Sequence, residues 1–522
     1  MPECPEPELR EFGSAGKVIE ALAALFAAGA LAVAILDQPS MRRSVAMAVA
    51  GVMVPVLIAG DQWHSGPITE LRNSPGMLAL AIICALAAVV LIAWVIDRWP
   101  VMLPVLVLVA LPFRIPLNVG GEDANLLIPL YLVMGGGVLA SLIRARRGDL
   151  LEATPLVSPT GPARWLKPLL AVAVVIYALG LFYSDDRSTG LQNLCFFLIP
   201  FGVIFSLIAE VEWTKERLRI LLGVLVGLAL VCALVGFVEY ATRDLLWNQV
   251  VIRSNDFHVY FRVNSLFWDP NVYGRYLALA ITMVAAALLW ARPNRDSVLL
   301  ALVSGVLWLA LMTTYSQSSF IALIAGLGTL IALRWSLKWV LTGLAALAVG
   351  VVLFGTFAGG LVKLDLGAIN KQTSGRANLV EGGFDLFEAR PVYGYGPGSF
   401  SVAFKREVAG PNAPVTESHT EPITVAAEQG LIGLAVYLAL IVSVLAALAA
   451  GMRKVMPGLG AAPRSYDPER GPPAARAAML AGFVAVLVHT LTYAGFLDDP
   501  VTWVLIAIGY SLAFPCRATS AA

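Results

Sequence analysis

His419 is one of only four histidines in the chain and stands in Ser418-His419-Thr420-Glu421-Pro422, beside two carboxylates at a loop–helix junction. A histidine so placed can serve as a general base or a hydrogen-bonding group, and a neighbouring carboxylate such as Glu421 can orient it. Two arginines stand in other turn-rich stretches: Arg262 in Phe261-Arg262-Val263-Asn264-Ser265, and Arg376 in Thr373-Ser374-Gly375-Arg376. Arginine stays charged and offers a planar fork that fits phosphate oxygens bidentately. Each has a plainer reading. A loop histidine is commonly a surface residue, and an arginine can snorkel or pair with a nearby acid.

Other candidates carry weaker chemistry. Asp185-Asp186 and Asp498-Asp499 are acidic pairs that could hold a divalent ion, but a solvated turn accounts for both. Tyr393–Phe400 holds three glycines. It reads as a structural turn rather than a phosphate cradle, because no lysine follows. His489 lies inside an apolar run, where a histidine is a functional hypothesis by default and a packing role accounts for it equally well. Arg253, His258, Lys405 and Arg406 are expected along one surface. The five cysteines are scattered without a disulfide, redox or zinc spacing. Neither metal nor cofactor is expected.

The elements that must position these residues follow from composition. Apolar residues make up 58% of the 522 residues and charged residues only 14%, for a net charge of +1. A soluble chain carries about 25% charged residues, so this one has too little charge to cover a surface. There is no basic surplus to meet nucleic acid. The expectation is an all-α polytopic membrane protein.

A helix needs about 20 apolar residues to cross a bilayer, and lipid forbids open strands. Fifteen runs are candidates: 17–36, 44–60, 76–96, 100–113, 125–143, 168–184, 193–210, 217–238, 273–291, 297–314, 318–333, 338–358, 422–451, 476–495 and 500–515. The run 100–113 is the shortest. Glu3, Glu6, Glu8 and Glu11 give the N-terminus the wrong charge for a signal peptide, so the first run is expected to be retained.

Lys and Arg set the orientation. Arg144, Arg146, Arg147, Arg164 and Lys167 mark 144–167 as cytoplasmic. So do Lys215, Arg217 and Arg219, then Arg292 and Arg295, then Arg334 and Lys338. Arg453, Lys454, Arg464, Arg470 and Arg476 do the same for 452–476. The alternate loops are poor in basic residues, and extrapolation backwards puts Arg98 and Arg42-Arg43 inside. Two outward loops are long, 239–272 and 359–421; loops of that length are usually functional or disordered, and the second, which mixes polar stretches with Gly, Pro, Tyr and Phe, reads as an ordered domain. The expected organisation is N-terminal extra helices (1–96), a membrane core (97–358), an ordered outward loop domain (359–421) and C-terminal helices (422–522).

Three stretches lie on that outward side in a recognisable order. The first is Phe261-Arg262-Val263-Asn264-Ser265-Leu266-Phe267-Trp268-Asp269-Pro270-Asn271 before a helix. The second is the loop with Gly375-Arg376 and Pro391-Val392-Tyr393-Gly394-Tyr395-Gly396-Pro397-Gly398-Ser399-Phe400. The third is Ser418-His419-Thr420-Glu421, followed by Glu428-Gln429-Gly430-Leu431-Ile432-Gly433. Over roughly 97–515 the chain resembles the O-antigen ligase/polymerase family of bacterial envelope glycosyltransferases. There are departures. Thr420 replaces the usual Asn or Ser after the histidine. Thr313-Thr314-Tyr315-Ser316-Gln317-Ser318-Ser319 stands where the family often carries an arginine. The first three runs have no counterpart in that family.

The resemblance implies a GT-C-like architecture of about 12–15 helices in the bacterial inner membrane, with the active site facing the periplasm. It implies transfer of a glycan from an undecaprenyl-diphosphate carrier to an acceptor hydroxyl, as in lipopolysaccharide ligation. Arg262 and Arg376 would clamp the departing diphosphate, His419 would activate the acceptor, and Glu421 would orient His419. The partners implied are the carrier-linked donor, a glycan or lipid-linked acceptor and membrane lipids. A polymerase joining two carrier-linked units, or an enzyme passing the glycan to protein, shares the donor chemistry. A polysaccharide transporter is the reading from another class, but it would not need the ordered loop carrying His419.

Overall fold

The computed structural model describes residues 8–62, 69, 73–113, 115–119, 122–149, 153–246, 248, 251–253, 255, 260–291, 293–343, 345, 376–411, 418–461 and 472–518. The side chains of 8–15, 115–126, 153–155, 376–377 and 516–518 lie outside the description.

Among the described residues twelve helices are long and apolar enough to cross a membrane. They correspond one to one with twelve of the fifteen expected runs. The protein is an all-α, multi-pass membrane protein. The named helices are α1 (Glu8–Leu36), α2 (Met41–Asp61), α3 (Pro75–Arg98), α4 (Met102–Ala110), α5 (Ile128–Arg147) and α6 (Leu166–Gly180). Next come α7 (Arg187–Ile208), α8 (Lys215–Thr242), α9 (Pro270–Trp290), α10 (Arg295–Thr313) and α11 (Gln317–Arg334). The rest are α12 (Arg376–Ala389), α13 (Phe400–Phe404), α14 (Glu421–Ala449), α15 (Pro473–Thr490) and α16 (Pro500–Ala513).

Three expected runs differ. The run 100–113 yields only the nine residues of α4, and Ile115–Val119 and Glu122–Leu126 then form an antiparallel hairpin. The run 500–515 gives the fourteen residues of α16. Most of 338–358 lies outside the described residues. A second short ladder pairs Ala153–Pro155 with Cys516–Ala518.

Helix starts follow local capping chemistry. Asp269 accepts from the Asn271 and Val272 amides, with Pro270 in the first turn. Asp499 does the same for the Val501 amide ahead of α16. One apolar core joins α1 and α2 with α6, α7, α14, α15 and α16. A second gathers α8, α9, α10 and α11. A small third core of Leu386, Tyr395, Phe400, Ala403, Phe404 and Ala427 roots α12 and α13 on the start of α14.

Contacts sort the helix ends into two groups. At one end, Arg144 bonds Asp97 and the Ile96 carbonyl, Arg334 bonds the Leu289 carbonyl at 3.1 Å, and Arg476 bonds the Ala450 carbonyl. Arg43 joins this end through the Ala34 and Ser206 carbonyls. This basic end gathers the loops that the charge alternation groups together, the first two helices included. The opposite end holds Asp61 with Ser188, the starts of α9, α14 and α16, and both sequence stretches around Arg262 and His419.

Candidate functional site

Arg262 sits half-buried in the segment between α8 and α9. Asn255 grips its backbone on both sides, accepting from the Arg262 amide at 3.1 Å and donating to its carbonyl at 3.0 Å. The guanidinium donates through Nε to the Thr314 carbonyl (3.0 Å) and through Nη2 to Asn271 Oδ1 (3.0 Å). Two bonds to one edge fix the plane of the fork. The turn that receives it is Thr313–Ser319. Gly274 lets the start of α9 approach this turn, since a Cβ there would meet Ser319 Oγ at 2.5 Å.

From Asn271 a line of buried hydroxyls runs inward. Ser316 Oγ donates to Asn271 Oδ1 (2.9 Å) and shares a hydrogen bond with Ser318 (3.0 Å). Ser318 Oγ reaches His489 Nε2 at 3.2 Å. The sequence places His489 about two turns inside its run; the structure puts it one residue from the end of α15, with no exposed surface. The apolar run outlasts the helix because Leu491, Tyr493 and Ala494 continue it as a loop. The His489 ring lies edge-on to Tyr493 (5.7 Å between centroids), and Tyr493 lies beside His419 (5.9 Å).

His419 holds a left-handed backbone, φ 57°, which side chains other than glycine adopt at a cost of about 1–3 kcal/mol. Ser418 and Thr420 brace it. Ser418 Oγ bonds the Thr420 carbonyl (2.8 Å) and the Thr424 hydroxyl (2.7 Å), and Thr420 Oγ1 reaches the Leu491 carbonyl (3.4 Å). Glu421 accepts from the Gly495 amide at 2.7 Å. It thereby ties α14 to the segment that carries Tyr493. Arg376 opens α12; its side chain lies outside the described residues.

The glycine-rich turn Tyr393–Phe400 docks through its backbone. The Tyr395 amide bonds the Ala427 carbonyl (3.0 Å) and the Gly396 amide bonds that of Glu428 (2.8 Å). Glu428 Oε1 accepts from the Phe400 amide (3.0 Å). On its other side the turn meets Ser184 and Asp185. Gly396, at φ 91°, sits so close that a Cβ would meet the Ser184 Cα at 2.3 Å. The two aspartates there serve the docking. Asp185 pairs with Arg406 (2.7 Å) and Arg390 (3.7 Å), and Asp186 caps the start of α7 through Thr189. Both arginines lie against the Tyr395 ring. Burial and then Glu407 push the Tyr395 phenol up from its ordinary value, so it stays neutral.

Beneath this turn lies a cavity of about 300 Å³. Asp186, Glu421, Glu428, Asp498, Tyr177 and Tyr437 are among its walls, and among the described residues no Lys or Arg lines it.

Asp499 corrects the sequence reading. It is not part of a solvated turn but a buried partner of Arg275, with both side chains about 5% exposed or less. Asp498 stands beside it in the cavity wall. Glu239, also missed, is buried at the end of α8 and accepts from the Asn264, Ser265 and Leu246 amides. It shapes the segment that presents Arg262. Glu239 is a lone carboxylate in an apolar stretch, and that was the one signal available for it. Arg253 and Arg406 are exposed as expected, Lys405 is half-buried, and His258 lies outside the described residues.

A multi-pass helical bundle with a polar side-chain site at one end and a helical loop domain over it defines the class. Residues 302–438 match the family model described as O-antigen ligase, and the chain carries that domain, in support of the O-antigen ligase/polymerase resemblance. The match implies glycosyltransferase-type chemistry on lipid-linked glycans. It covers Arg376, the glycine-rich turn, His419 and Glu421, while Arg262, Asn271, His489 and Asp499 lie outside it. No curated protein matches the chain.

Proposed function

We propose that this end of the bundle transfers an oligo- or polysaccharide from an undecaprenyl-diphosphate carrier to an acceptor hydroxyl, in the manner of an O-antigen ligase. The basic end faces the cytoplasm and the His419 end the periplasm of a bacterial inner membrane, following the excess of Lys and Arg on one side.

The acceptor oxygen attacks the anomeric carbon from the face opposite the carrier. The bond from that carbon to the diphosphate oxygen breaks, and its electron pair leaves with the diphosphate. The acceptor proton passes to His419. One in-line displacement inverts the anomeric centre. Arg262 and Arg376 stabilise the charge gathering on the leaving group. Glu421 holds the Leu491–Gly495 segment against which His419 rests.

The observation that carries this reading is the side-chain network joining Arg262 to His419 through Asn271, Ser316, Ser318, His489 and Tyr493. It sets a fixed cation and an ionisable ring at the same end of the bundle. The acid-lined cavity beside Glu421 suits the hydroxyls of an acceptor and repels a diphosphate, so the two substrates are sorted by charge. The same donor site would serve a polymerase; the acceptor alone separates the two.

The test is transfer by purified protein in proteoliposomes, with lipid A–core and a second carrier-linked unit offered in parallel. Transfer to lipid A–core, persisting in excess EDTA, is expected. Loss on chelation with recovery in Mg²⁺ would move the leaving-group role to Asp185 and Asp186. An impermeant thiol reagent on whole cells should modify Lys405→Cys and spare Arg453→Cys; the reverse pattern would overturn the sidedness.

A further inference from the structure

We propose that His489 is a positioning residue that holds the Arg262 half of the site in register with the His419 half; this deepens the transferase reading and rests on it. The imidazole is fully buried at the end of α15. Burying such a polar ring is costly unless it is hydrogen-bonded. Its Nε2 bonds Ser318, in the first turn of α11, where Ser316 already caps the helix through the Ser319 amide.

From Ser318 the path to the guanidinium is short. Ser316 bonds both Ser318 and Asn271 Oδ1, and that same oxygen accepts from Arg262 Nη2. Losing the His489 contact frees Ser318 to turn, and Ser316 can then follow it away from Asn271. The other face of the ring works by shape. Tyr493 stands edge-on between His489 and His419, and its own amide bonds the His489 carbonyl at 2.9 Å. His419 meanwhile holds a backbone conformation that persists only when its surroundings over-determine it. One residue therefore touches both halves through different chemistry: a ring nitrogen toward the donor side, a ring edge toward the acceptor side.

The two contacts can be separated. His489→Gln keeps an amide near Nε2 for Ser318 and loses the ring. His489→Phe keeps the ring against Tyr493 and loses the hydrogen bond. The register predicts crossed kinetics in folded, nanodisc-embedded protein. The Phe variant should raise the donor KM roughly 3–10-fold with kcat near wild type, the scale of one neutral hydrogen bond. The Gln variant should leave the donor KM within about two-fold and lower kcat by a similar roughly 3–10-fold factor. A purely structural role would lower the melting temperature and move neither split. Both folded variants at wild-type kinetics, or both losing the same parameter, would overturn the proposal.

A substrate-free arm keeps this apart from the transferase reading. Ser318→Ala and Tyr493→Leu are combined in a thermal-melt double-mutant cycle, in wild type and in His489→Leu. The register predicts non-additive losses with His489 present and additive losses without it. Additive losses in wild type overturn the register. Absence of any transfer by wild-type protein overturns the transferase reading alone.

Discussion

Arginines do different work at the two ends of this bundle. At the basic end Arg144, Arg334 and Arg476 donate to the last carbonyls of α3, α9 and α14, groups that every helix leaves without an intrahelical partner. At the His419 end Arg262 divides its bonds between a backbone carbonyl and the Asn271 side chain. Arg275 there is sealed against Asp499, with Nη1 left without a hydrogen-bond partner among the described residues. Arginine at a helix C-terminus completes the fold, and another donor or water can replace it. Arg262 also completes a helix end, since Thr314 caps α10, but its second bond, to the Asn271 side chain in a polar network, is not needed to finish any element and points to a task beyond folding.

The largest effect is expected at Arg275–Asp499, an ion pair buried on both sides. Arg275→Ala leaves Asp499 uncompensated and should cost about 3–5 kcal/mol. The readout is the thermal melting of detergent-solubilised protein, and the double variant Arg275→Met/Asp499→Leu should recover most of the loss. A single variant that melts like wild type would remove the distinction between the two ends.

A smaller effect, and on activity only, is expected at Arg262. Arg262→Lys keeps the charge and loses the fork. Transfer should fall roughly ten-fold or more, in line with about 1.5–3 kcal/mol for one charge-assisted contact, while the melting temperature holds. Smallest is Arg334→Ala at the basic end. Its bond to the Leu289 carbonyl is worth about 1 kcal/mol, and transfer should stay within about two-fold of wild type. A greater loss of transfer at Arg334 than at Arg262 would reverse the comparison.

How much of this was legible in the sequence depends on the length scale of each signal. The spans and their alternation were, because a span is a long apolar run and a basic loop is a cluster. The docked turn was too, since Gly394, Gly396 and Gly398 in one short stretch have few other readings. The polar network was not. Asn271, Ser316, Ser318 and His489 are single polar residues whose partners lie far off in sequence, and nothing local announces the pairing. Asp499 misled for the same reason: beside Asp498 it reads as a surface doublet, and its partner Arg275 is buried in a different helix. The short α4 was obscured by its own apolar flanks, which a hairpin follows in place of a longer helix.

The central claim is that the site is divided, with arginine serving the departing diphosphate and His419 the acceptor. The direct measurement sets turnover beside donor affinity in reconstituted His419→Ala. Turnover should fall by about 10²–10⁴-fold, the scale of a lost general base, with binding of undecaprenyl diphosphate unchanged. Wild-type turnover in that variant, or loss of lipid binding there while Arg262→Lys still binds normally, would contradict the division.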